Sequence, residues 1–160
     1  LLGSGSILRE SIAAADLLSA DFKVEADIWS CTSFNQLKRD GDDVSRWNML
    51  HPDKKPKMSH VEKCLLDTDG PVVAATDYVR LFADQIRAYV PRSYSVLGTD
   101  GFGRSDTRQA LRKHFEVDRY YIAVAALNAL MEDGSVSVKT VNAAIKKYGI
   151  DPNKNNPLMS

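Results

Sequence analysis

The stretch Gly98-Thr99-Asp100-Gly101-Phe102-Gly103-Arg104-Ser105-Asp106-Thr107-Arg108 decides the fold. Tyr94 to Leu97, just before it, is a short run of strand type, and Leu111 and Phe115, just after it, stand at helical spacing. Three glycines between a strand and a helix make a tight turn, and strand–turn–helix is the unit from which parallel sheets are built. The spacing predicts a helix that opens at Ser105. Ligands of such sheets bind beyond the carboxyl ends of the strands, which is where this turn would lie.

The same alternation runs N-terminally. Leu1-Leu2 ends in Gly3-Ser4-Gly5-Ser6, after which Leu8, Ile12, Ala15 and Leu18 recur at helical spacing. Val24 to Cys31 reads as a second strand. Ser33-Phe34-Asn35-Gln36 then has the form of a capping box, with a hydroxyl at the cap and an amide three residues on. Pro71 to Thr76 is a third, buried strand. Asp77 is placed to cap the helix whose Val79, Phe82, Ile86 and Tyr89 share a face. Beyond the glycine turn the pattern becomes helical, with Asp118 and Ser137 as caps for the last two helices. Strand–helix repetition with a helical end predicts an α/β fold. It would be a three-layer, mostly parallel sheet of about four to five strands flanked by helices, with a helical C-terminal part.

Residues 40–60 fit neither period. Asp40-Gly41-Asp42-Asp43 reads as a helix-breaking turn, and Pro52 and Pro56 punctuate a basic cluster of Lys54, Lys55 and Lys57. This long loop is a candidate docking surface, with Trp47, Met49 and Leu50 pinning it to the body. Ser59-His60-Val61-Glu62 offers a second capping box.

Composition excludes several classes. Lys+Arg and Asp+Glu are equal at 21 each, so no global field favours nucleic acid or a membrane surface. No apolar run is long enough to span a bilayer, and the two cysteines, Cys31 and Cys64, lack metal-ligand spacing and read as reduced thiols. A cytoplasmic location follows as the expectation. The chain opens on Leu1 without Met and is read as one domain, residues 1–160, of a longer polypeptide.

The catalytic inventory is poor. Gly3-Ser4-Gly5-Ser6 can cradle a phosphate on backbone N–H groups, but Leu8 stands where a dinucleotide motif needs its third glycine. His51, His60 and His114 have no zinc spacing, and no nucleophile-elbow sequence is present. The remaining candidate is the turn itself, Gly98, Asp100, Gly101, Gly103, Arg104 and Ser105, as a structural element or an anion site. There Arg104 either holds an anion or pairs with Asp100 or Asp106.

Residues 98–118, GTDGFGRSDTRQALRKHFEVD, closely resemble the C-terminal, transketolase-like domain of the homodimeric bacterial pyruvate dehydrogenase family. LLGSGSIL at 1–8, TSFNQLKRDGDDVSRWNMLHP at 32–52 and VAATDYVRLFADQIRAYVP at 73–91 are similar to the same family in the same order. Met58-Ser59-His60 departs from it, because the family is more apolar there.

The resemblance implies the third domain of the decarboxylating component of the pyruvate dehydrogenase complex. That component decarboxylates pyruvate and reductively acetylates lipoyl groups. Thiamine diphosphate and magnesium would sit in other domains of the intact parent, so no catalytic, cofactor-binding or metal residue is carried onto this chain, and none of these groups is expected to bind it. Implied partners are the remaining domains of its own subunit, a second copy in a homodimer and the lipoyl-bearing acetyltransferase core. Three roles stay open. The domain is a structural, dimer-stabilising part inactive alone, a regulatory module taking an anion or nucleotide at Gly98–Ser105, or a docking surface for the core at Lys54–Lys57.

Overall fold

A computed structural model describes residues 1–159. Four strands, β1 (Leu2–Gly3), β2 (Trp29–Ser30), β3 (Val72–Ala75) and β4 (Tyr94–Leu97), form one all-parallel sheet in the order β2-β1-β3-β4. Around it lie α1 (Leu8–Phe22), α2 (Phe34–Leu50), α3 (His60–Leu65), α4 (Arg80–Asp84), α5 (Arg108–His114), α6 (Arg119–Glu132) and α7 (Val138–Lys147). This is the predicted α/β architecture.

Strand β3 shows why the sheet is covered on both faces. Its four residues, Val-Val-Ala-Ala, are all buried, and side chains alternate along a strand. Val73 and Ala75 pack with Leu18 of α1 and Ile122 and Leu127 of α6. Val72 and Ala74 pack on the opposite face with Leu2, Phe34 of α2, Val61 of α3 and Ile86. The chain therefore crosses one face of the sheet between β1 and β2 and the other between β2 and β3. The order reverses between β1 and β3, which opens a crevice at their carboxyl ends.

The helix starts follow from their caps. Ser33 Oγ accepts the Gln36 amide at 3.3 Å, and Ser137 Oγ accepts that of Thr140 at 3.3 Å. Asp118 accepts the amides of Tyr120 and Tyr121, both at 3.0 Å. At α3 the box closes both ways, with Ser59 Oγ accepting from Glu62 and Glu62 Oε2 accepting the Ser59 amide at 2.6 Å.

Five sequence expectations are corrected. The strand expected over Val24–Cys31 is only Trp29–Ser30, in parallel register with Leu2 and Gly3 of β1. Asp40-Gly41-Asp42-Asp43 is not a turn but lies inside α2, which runs on to Leu50 and shortens the expected loop. Met49 and Leu50 are exposed there rather than pinning it. The helix expected after Asp77 is only α4, followed by a 3-10 turn at Arg87–Tyr89. It leaves Val79 and Phe82 exposed while Ile86 is buried. The helix expected at Ser105 begins at Arg108, capped by Thr107, whose Oγ1 accepts the Ala110 amide at 3.3 Å.

Gly41 is tolerated within α2 because a Cβ there would lie 2.3 Å from the ring of Tyr89, which donates its hydroxyl to Asp42. Gly41→Ala gains up to about 1 kcal/mol of helix propensity but forces the ring aside. We expect a net loss of about 1 kcal/mol, read as a lower urea midpoint of the 160-residue chain.

Candidate functional site at the carboxyl edge of the sheet

The crevice at the ends of β1 and β3 is occupied by the protein's own carboxylate. The Ser6 amide and hydroxyl both point to Asp77 Oδ2, at 3.4 and 3.2 Å. A Cβ on Gly5 would lie 2.7 Å from Asp77 Oδ1, and Gly5 has a φ of +55°, so glycine is required there twice over. The phosphate cradle suggested by Gly3-Ser4-Gly5-Ser6 thus holds Asp77, which is why Asp77 does not cap α4.

That capping falls to Asp100. Its Oδ2 accepts the Arg80 amide at 3.1 Å and lies 3.3 Å from Arg80 Nε. The glycine turn is thereby clamped to the start of α4. Gly98 packs so closely on this junction that a Cβ would lie 2.7 Å from both the Arg80 nitrogen and the Tyr78 carbonyl oxygen. Gly101, at φ +113°, abuts the carbonyl of Pro157 in the C-terminal turn. Gly103 and Ser105 are exposed.

Asp100 pairs with Arg80 and Asp106 accepts the Thr107 amide at 2.6 Å, and of the two roles open for Arg104 the pairing with either carboxylate does not form among the described residues. Instead, Arg104 borders a cavity of about 330 Å³ lined also by Ser6, Asp77, Thr99, Arg108 and Arg112. Its charge also bears on His114, whose pKa is lowered by burial first and then by Arg104 and Lys154. His114 Nε2 is buried without a hydrogen-bond partner, which favours a packed, neutral imidazole over a general base.

Sequence reading missed the ion cluster just below this edge. Glu10, on α1, is only 5% exposed. Its Oε1 receives Arg112 Nη1 at 2.8 Å, and its Oε2 receives the Arg119 amide and Nε, both at 3.0 Å. Burial alone would push this carboxyl up, but the hydrogen bonds and charges of Arg119 and Arg112 outweigh it and hold Glu10 below the usual range. Periodicity gave no signal for it, because Glu10 lies away from the Leu8, Ile12, Ala15 and Leu18 stripe while the buried side of α1 carries Glu10, Ser11, Ala14 and Leu18. The partners of Glu10 lie more than a hundred residues away, so spacing could not reveal them.

The other predicted surface is dispersed. Lys54 pairs with Asp53 at 2.9 Å, and Lys57 Nζ sits 3.9 Å above the Trp47 ring, while Lys55 is exposed. None of the three reaches the glycine turn's cavity.

Among the described residues no three His, Cys, Asp or Glu side chains converge as metal ligands. Asp77 and Asp100 are already engaged by Ser6 and Arg80. These residues do not fit magnesium with a diphosphate. No helix among them is long and apolar enough to cross a membrane.

What the edge does offer is apolar surface. Tyr78, Leu81 and Phe102 are 61%, 73% and 78% exposed, with Val79 and Phe82 exposed beside them. The rings of Tyr78 and Phe82 stand 5.2 Å apart, and the Thr99 amide donates to the Tyr78 carbonyl at 2.9 Å, so the patch and the glycine turn form one surface. Exposed Leu158 and Met159 adjoin it where Gly101 meets Pro157.

Comparison with known proteins agrees with this architecture. Residues 1–118 match the family described as the transketolase-like TK C-terminal domain. The chain is 61% identical over 158 residues to the Pyruvate dehydrogenase E1 component of Cupriavidus necator, covering 99% of this chain and 18% of that protein. It is 60% identical over 159 residues to that of Pseudomonas aeruginosa, again 99% of this chain and 18% of the relative. Against that of Escherichia coli (strain K12) it is 52% identical over 161 residues, 100% of this chain and 18% of the relative. The chain thus spans 18% of the length of these curated relatives, and their likeness extends through α6 and α7, past the end of the family match. From residues 1–118 and the parallel sheet they build, the chain belongs to the transketolase-like C-terminal domain family.

Proposed function

We propose that this chain is the third domain of a pyruvate dehydrogenase decarboxylating component, and that it stabilises the subunit's homodimer without entering the chemistry. The observation that carries this is the apolar carboxyl edge, Tyr78, Val79, Leu81, Phe82 and Phe102, left exposed outside the domain's two buried clusters. Contiguous apolar surface of this kind marks an interface. In a two-fold dimer the same patch is available on both copies.

In the intact parent, pyruvate is decarboxylated and the two-carbon fragment passes to lipoyl groups of an acetyltransferase core. Thiamine diphosphate and magnesium would be held by the parent's other domains, where the cofactor would supply carbanion stabilisation. This chain's part is mechanical. The Asp100–Arg80 clamp and the closely packed Gly98 hold α4 and the glycine turn in one orientation, so the apolar edge is presented as a rigid surface. A cytoplasmic site of action accords with two free cysteines.

The test is Leu81→Asp with Phe82→Asp in the full-length parent, read by sedimentation equilibrium. Both side chains are exposed here, so the domain's own fold is spared. We expect dimer dissociation to strengthen at least about tenfold, about 1.4 kcal/mol. Activity should fall in step with dimer content. An unchanged dimer with unchanged activity would defeat the proposal.

A second reading, an anion site, is favoured by the cavity where Arg104, Arg108 and Arg112 converge. Arg112 is committed to Glu10 and Asp77 adds negative charge. It ranks behind the interface for that reason.

A further inference from the structure

A separate cavity of about 270 Å³ lies on the other side of β1, between β2, α2 and α3. Its lining brings together Cys31, His60 and Cys64, which the role at the carboxyl edge does not use. Cys64 Sγ is 3.4 Å from His60 Nε2, one helical turn apart on α3. The His60 backbone is fixed independently of its ring, because its amide donates to Asp40 Oδ2 at 2.5 Å. Cys31 is 9% exposed, and its amide is held by the Gly3 carbonyl at 2.9 Å.

The two thiols differ in kind. Burial pushes the Cys31 thiol up to about 11, so it stays protonated and unreactive. Cys64 is half-buried and has an imidazole against its sulfur. A nucleophile beside a base, both lining a cavity that can receive a substituent, is the arrangement covalent thiol chemistry needs.

The lining also selects the partner. Leu2, Leu37, Leu65 and Ile86 make one side apolar, while Ser30 and Thr32 add hydroxyls. No Lys, Arg, Asp or Glu borders the cavity, so a charged substituent would be desolvated there without a counter-ion.

We propose that Cys64 is a thiol-modification site, activated by His60, that accepts small uncharged thiol groups by exchange with a low-molecular-weight disulfide. His60 Nε2 takes the Cys64 proton, and the thiolate attacks one sulfur of the disulfide. The new bond joins Cys64 Sγ to that sulfur, the original sulfur–sulfur bond breaks, and the departing thiolate recovers the proton from His60. One thiol and one disulfide enter, and one mixed disulfide and one thiol leave.

The test treats the folded full-length parent with 2-hydroxyethyl disulfide and maps the adducts by peptide mass spectrometry. Cys64 is expected to be labelled and Cys31 spared. His60→Gln keeps the backbone bond to Asp40, and it should slow labelling of Cys64 by at least about tenfold, within the range a positioned base supplies. Matching thermal unfolding of that variant and the parent would show that the loss is local. Oxidised glutathione, charged and larger, should label Cys64 more slowly than the neutral probe. The proposal is overturned by an unlabelled Cys64, by labelling of Cys31 first, by a wild-type rate in His60→Gln, or by faster reaction with glutathione disulfide.

Discussion

Glu10→Ala is expected to cost about 2–4 kcal/mol of stability, the largest effect of any single substitution away from the hydrophobic core. The carboxylate is 5% exposed and receives four hydrogen bonds from Arg112 and Arg119. Removing one partner of a buried pair leaves the other charges without compensation, which costs more than the pair itself is worth. The Arg119 side chain is 44% exposed and recovers part of the loss in water, which keeps the figure at the lower end of what buried pairs show. Against a typical stability of about 5–15 kcal/mol the change is large, and it should appear as a lower urea midpoint.

The same cluster sets an acid limit. Because Glu10 is held below its ordinary pKa, its contribution is fully present above the unfolded value and disappears as pH falls through the folded one. Stability should therefore decline on acidification below about pH 4.5. In Glu10→Gln, that part of the decline should be absent and the plateau lower. An unchanged acid limb in Glu10→Gln would mean that other carboxylates govern it. A double change to Glu10→Leu with Arg112→Met should recover more stability than either alone, since apolar replacements of similar volume remove the unpaired charge.

Gly98→Val is expected to be nearly as costly, at about 3 kcal/mol. Its Cβ would meet backbone atoms, the Arg80 nitrogen and the Tyr78 carbonyl oxygen, and backbone yields less readily than a side chain. Relief requires α4 to move from the glycine turn, which breaks the Asp100–Arg80 clamp and shifts Phe82 and Leu81 together. In the full-length parent, dimer stability and activity should fall alongside the unfolding midpoint. Gly103→Val provides the contrast. Nothing lies within 4 Å of a Cβ at that position, so its effect should stay within about 0.5 kcal/mol. Two glycines five residues apart in the same motif would thus give opposite results. Equal sensitivity of the two would show that the motif acts through its loop conformation and not through contact with α4.

The exposed edge explains why sequence periodicity misled at α4. Val79, Phe82, Ile86 and Tyr89 share one helical face on paper. The helix stops at Asp84 and the chain tightens into a 3-10 turn, which rotates Ile86 inward and leaves Val79 and Phe82 outside. A pattern that looks like one core-facing stripe is divided between this domain's core and its exposed carboxyl edge.

Local chemistry in the sequence was enough to determine the parallel α/β class, the buried third strand, and the caps at Ser33, Ser59, Asp118 and Ser137. Those features depend on residues within a turn or two of one another, where propensity and spacing are the controlling forces. The resemblance carried by residues 98–118 extended this to the family. Only the tertiary structure decided the rest. It put Asp77 into the Gly3–Ser6 turn, gave the α4 cap to Asp100 and joined Glu10 to Arg112 and Arg119. It also kept Gly41 helical under Tyr89 and brought His60 and Cys64 to the cavity that Cys31 lines. In each case the partners are supplied by separate elements whose approach depends on packing across the sheet, and no local spacing encodes which carboxylate meets which donor.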